Sequence, residues 1–77
     1  MDLIEEWHIE IFRPDSETPD IAQTTLPTWR TARRYVDAAR QIYPDSTIQV
    51  IVPESAPEAV LAELAAMGVR TFVQEGD

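Results

Sequence analysis

The chain has no cysteine and no lysine, one histidine and two glycines in 77 residues. Without cysteine there is no disulfide frame and no thiolate nucleophile. The three serines, Ser16, Ser46 and Ser55, fall in turn-forming or helix-start positions, so neither a Ser-His-Asp nor a Cys-His arrangement can be completed. Gly68 and Gly76 are too few and too far apart for a phosphate-cradling loop. Glu6-x-His8-x-Glu10 sets three possible metal ligands on one strand face. Successive side chains on such a face stand nearly ~7 Å apart, and a zinc site also recruits ligands from elsewhere in the chain, so the triplet reads as a solvated strand face. The expectation is a protein without catalysis, metal or cofactor.

Long apolar runs are missing as well. No stretch approaches the ~20 residues of a membrane span. The start, Met1-Asp2-Leu3-Ile4-Glu5-Glu6, is acidic where a signal peptide is cationic. A cytoplasmic location away from membranes is expected.

What is present is charge, and it is sorted. Fourteen carboxylates face six cations, all arginine, for a net charge of −8. Residues 1–27 hold seven carboxylates against Arg13, and residues 44–77 hold six against Arg70. Residues 28–43 hold Arg30, Arg33, Arg34 and Arg40 against Asp37 alone. A chain this acidic is repelled by phosphate backbones and anionic lipid and attracted to basic surfaces, so direct nucleic-acid binding is not expected.

Apolar residues make up 44% of the chain, enough for one thin core. Residues 6–13 alternate, with Trp7, Ile9 and Ile11 on one side, and read as a strand. Residues 14–20 are turn formers, and 21–25 fit a weak return strand. Thr28 is a helix cap, and the following helix turns Trp29, Ala32, Tyr35, Val36, Ala39, Ile42 and Tyr43 to one side before Pro44 ends it. Residues 47–52 form a second clear strand. Ser55-Ala56-Pro57-Glu58 has capping-box spacing and starts a helix over 56–67, with Gly68 as its left-handed cap. Residues 69–74 form the last strand, and 75–77 should fray. The fold class is α+β: a single domain over 1–77, a two-layer β(β)αβαβ sandwich with a three- or four-stranded mixed sheet and two helices on one face.

Two layers leave one sheet face open. The helix side should take Trp7, Ile9, Ile11, Ile48, Val50, Val52, Val69 and Val73. The open side keeps His8, Glu10, Phe12, Gln49, Ile51, Arg70, Phe72 and Gln74. Phe12, Ile51 and Phe72 form an apolar contact patch there if they lie side by side, and are otherwise isolated surface residues of no consequence. The arginine stripe, Arg30, Arg33, Arg34 and Arg40, is either a solvated helix face or a grip for carboxylates and phosphates. The functional expectation is a non-enzymatic acidic module that docks on a basic protein, such as a nucleic-acid-binding machine, as an inhibitor or regulator. Phage-borne DNA mimics and anti-CRISPR proteins are comparable in size and charge only, since no family motif is present. The alternative is a homodimeric assembly module using the open sheet face.

Overall fold

The computed structural model describes residues 6–74, so the fraying expected of 75–77 lies outside the described residues. The chain runs β1 (Trp7–Phe12), β2 (Ala22–Leu26), α1 (Trp29–Ile42), β3 (Thr47–Val52), α2 (Glu58–Ala66) and β4 (Arg70–Val73). The strands form one sheet in the order β2-β1-β3-β4. β1 is antiparallel to β2 and to β3, while β3 and β4 are parallel and joined through α2. This is the expected α+β arrangement with a four-stranded mixed sheet.

The alternation in β1 and β3 sets the layers. Ile9 lies opposite Val50 and Ile11 opposite Ile48, so the apolar sets of both strands share one face. Ala32, Val36 and Ala39 of α1, with Val60 and Leu64 of α2, complete a single core over that face. The buried residues of α1 are all small, which lets the helix approach the sheet closely. At its first turn Trp29 covers Trp7, with ring centroids 5.3 Å apart and tilted by 38°. A tilted aromatic pair of this kind adds about 0.5–1.5 kcal/mol beyond the area it buries.

Helix ends follow local chemistry. The Thr28 hydroxyl accepts from the Thr31 N–H at 3.3 Å and caps α1. α2 begins at Glu58 with Pro57 at its N-cap, two residues later than the capping-box spacing suggested. At its C-terminus the Gly68 N–H donates to the Ala65 carbonyl and the Val69 N–H to the Leu64 carbonyl, at 3.0 and 3.3 Å. These are the two bonds of a Schellman cap. Gly68 has φ +78, as that motif requires.

Two expectations are corrected. Ile42 is 66% exposed and Tyr43 is also exposed, because the last turn of α1 runs past its final buried residue, Ala39. Val73 lies on the helix side of β4 yet is 51% exposed. β4 is an edge strand, and the core formed by α2 stops short of its end. Thr71, which the sequence pattern assigns to neither face, is the β4 residue aligned with Val50, and its hydroxyl is buried with no partner among the described residues.

Replacing Gly68 by alanine tests the cap. A Cβ there meets no atom within 4 Å, so the cost is backbone strain alone. We expect Gly68→Ala to lower stability by about 1–2 kcal/mol and the melting temperature by several degrees, read by urea and thermal unfolding. An unchanged midpoint would contradict the left-handed cap.

Candidate protein-docking surfaces

The arginine-bearing helix face divides into three parts. The Arg33 Nη1 donates to Glu63 Oε1 of α2 at 2.6 Å, and its Nε lies 3.7 Å from Asp37 Oδ2. Arg33 therefore ties the two helices together across the outer layer. Arg40 lines an open cleft of about 600 Å³ between the end of α1, the start of β3 and the α2–β4 turn, with Asp37, Ser46 and Met67 among its walls. Arg30 and Arg34 are exposed and make no ion pair among the described residues. The stripe predicted from the sequence is thus outward-facing, but its four guanidinium groups serve different surroundings.

The open sheet face is ordered in cross-strand rows. One row runs Thr25, His8, Ile51, Phe72, and the next runs Gln23, Glu10, Gln49, Arg70. In the second row, Gln49 Nε2 donates to Glu10 Oε1 at 2.7 Å, and Gln23 Nε2 to Glu10 Oε2 at 3.4 Å. Arg70 sits over the Phe72 ring, 5.8 Å from its centroid. Phe12 pairs with Thr47 in a third row and is buried. The structure therefore brings Ile51 and Phe72 together, while the polar row around Glu10 separates both from Phe12.

In the Glu6-x-His8-x-Glu10 triplet, Glu6 stays beside His8 and Glu10 turns away. His8 Nδ1 is 2.8 Å from the Thr25 hydroxyl, and His8 Nε2 is 3.4 Å from Glu6. The Glu10 carboxylate turns to its two glutamines. Among the described residues, no group of three or more His, Cys, Asp or Glu side chains is placed to hold a metal ion. No described helix is long and apolar enough to cross a membrane.

Apart from Glu10, Asp37 and Glu63, the described carboxylates stand toward the two ends of the sheet. At the end where β1 starts and β3 finishes stand Glu6, Glu54 and, at the start of α2, Glu58. All three are exposed, and among the described residues only Glu6 has a neighbour at ion-pair distance, the imidazole of His8. Arg30 reaches this end in the first turn of α1. The opposite end mixes signs: Arg13 is 3.4 Å from Asp20, and Asp15, Glu17, Asp45 and Arg40 lie around it. The pairing of Arg33 with Glu63 and this end-to-end division both depend on strand order, which residue spacing does not reveal.

Comparison of the chain with protein-family models, curated proteins and solved structures finds no match to any of them.

Arg33 and Glu63 should couple measurably. Their side chains are 47% and 35% exposed, so a double-mutant cycle of Arg33→Ala and Glu63→Ala should give about 0.2–1 kcal/mol, shrinking as salt is raised. Additive single-mutant effects would show that the bond does not join the helices in solution.

Proposed function

We propose that this chain is a non-enzymatic protein-binding module that sets its acidic end against a basic surface of another protein. One observation carries the reading: Glu6, Glu54 and Glu58 stand exposed at one end of the sheet, where Arg30 is the arginine that α1 brings nearest, while Arg13 and Arg33 are paired with carboxylates away from it. Glu58 also lies in the first turn of α2, where the helix dipole favours a carboxylate. Glu54 has no such local role, and its charge is available to a partner. Exposed carboxylates on a small acidic body offer negative charge to a basic groove. Long-range attraction of this kind accelerates encounter and falls with ionic strength. The thin inventory of nucleophiles and bases supports binding over catalysis. An inhibitor or regulator of a nucleic-acid-binding protein is the partner class that best fits.

The test is affinity capture at low and high salt, followed by displacement with duplex DNA. The expected partner is basic, is released by added duplex, and is lost on raising salt several-fold. Glu54→Lys with Glu58→Lys should abolish capture, whereas Arg30→Glu with Arg34→Glu should leave it. Capture that ignores salt, or that survives the carboxylate reversals, would refute the reading.

A further inference from the structure

The outer edge of β4 carries an observation independent of the acidic end. The Gln74 N–H donates to the Val52 carbonyl at 2.8 Å, and Val73 is aligned with Val52 in the parallel ladder. In a parallel pair the residues that bond the neighbour alternate with those that do not. Arg70, Phe72 and Gln74 therefore turn their backbone groups toward β3, and Thr71 and Val73 turn theirs to the open edge. On the same short strand Phe72 is 49% and Val73 51% exposed, one on each face. Edge strands are normally blunted by charge, proline or covering structure. β2, the other edge, is bracketed by Pro19 and Pro27, and its two apolar ends, Ala22 and Leu26, are half-buried. Among the described residues, β4 has only its shortness and Arg70 at its start.

We propose that the β4 edge is a self-association site, where two copies pair antiparallel about a two-fold axis and extend the sheet to eight strands. The backbone alternation selects the register. With Phe72 opposite the partner's Phe72, Thr71 faces the partner's Val73 in a hydrogen-bonded pair, and the symmetric pair repeats it. All four outward N–H and C=O sets are then used, giving four hydrogen bonds. The two phenyl rings meet at the closely spaced, non-bonded position, about 4.5 Å between Cα atoms, a favoured place for an aromatic cross-strand pair. Arg70 lies opposite the partner's Gln74, so no carboxylate of the described strand is set against another.

Size and charge fix how such a dimer behaves. Interfaces hold about one hydrogen bond per 100–200 Å², so four bonds correspond to roughly 400–800 Å², below the ~1,200 Å² of a stable standard interface. Association is therefore weak and concentration-dependent. Each chain carries a net charge of −8, so the two bodies repel and added salt strengthens pairing. This is the reverse of the salt response of the acidic-end docking, so the two readings stand or fall separately.

The experiment is sedimentation velocity on the full chain from about 10 µM to about 1 mM at two salt concentrations. The expected mass climbs from 8.7 kDa toward twice that value, further at high salt. Val73→Pro removes an outward N–H that β3 does not use, and Phe72→Lys places two ammonium groups face to face; both should stay monomeric. Ile51→Glu, on the open face away from the edge, should still dimerise. Amide exchange on the wild type supplies a readout that needs no variant: Thr71 and Val73 should slow several-fold with concentration. A wild type that remains at 8.7 kDa to ~1 mM, exchange at Thr71 and Val73 indifferent to concentration, or dissociation by Ile51→Glu but not by Val73→Pro would overturn the proposal.

Discussion

The antiparallel pairing of β1 with β3 is the constraint on which the molecule depends. These two strands are central in the sheet and carry six of the eleven residues of the core cluster. Because side chains alternate with a period of two, a one-residue slip of β1 against β3 would turn Trp7, Ile9 and Ile11 to the open face and offer Glu10 to the helices. The Glu10–Gln49 hydrogen bond opposes that slip, because it fixes the same register from the polar side. The helices bring less: three small residues from α1 and two larger ones from α2. They are shaped to a surface the strands have already made.

Charge is arranged around this frame rather than within it. Among the described residues, no charged or polar residue is buried as a whole. Arg33 is used between the helices, Arg13 closes the β1–β2 connection with Asp20, and Glu10 is held by neutral amides. Those contacts leave the carboxylates at one end of the sheet without arginine partners. An exposed ion pair contributes little to stability, so the arrangement bears on what the surface can meet more than on how firmly the chain folds.

Much of the fold was legible from residue pattern, because alternation and helical spacing are local signals. Trp7, Ile9 and Ile11, like Ile48, Val50 and Val52, sit where their period puts them. The Thr28 cap and the Gly68 turn were marked by residue type. Burial at element ends was not legible. Ile42 and Val73 have apolar side chains on the expected side, but whether anything covers them depends on where a neighbouring element stops. The candidate surfaces were half legible for the same reason. Spacing placed the arginines outward, while the choice of Arg33 as the one meeting Glu63, and the row of Glu10 between Phe12 and Ile51, followed from the order in which strands assemble.

That order carries a consequence for how the chain acquires its shape. β1 is made first, but its second neighbour, β3, ends only at residue 52 of 77, with β2 and the whole of α1 in between. During synthesis the β1–β2 hairpin can close early and cheaply, yet a lone hairpin is marginal in water. The central pairing must wait for a long loop to close, an entropic barrier that slows folding. Until then Trp7, Ile9 and Ile11 have no cover from the helices, and the excess of carboxylates over Arg13 in residues 1–27 sets such hairpins against one another by like-charge repulsion.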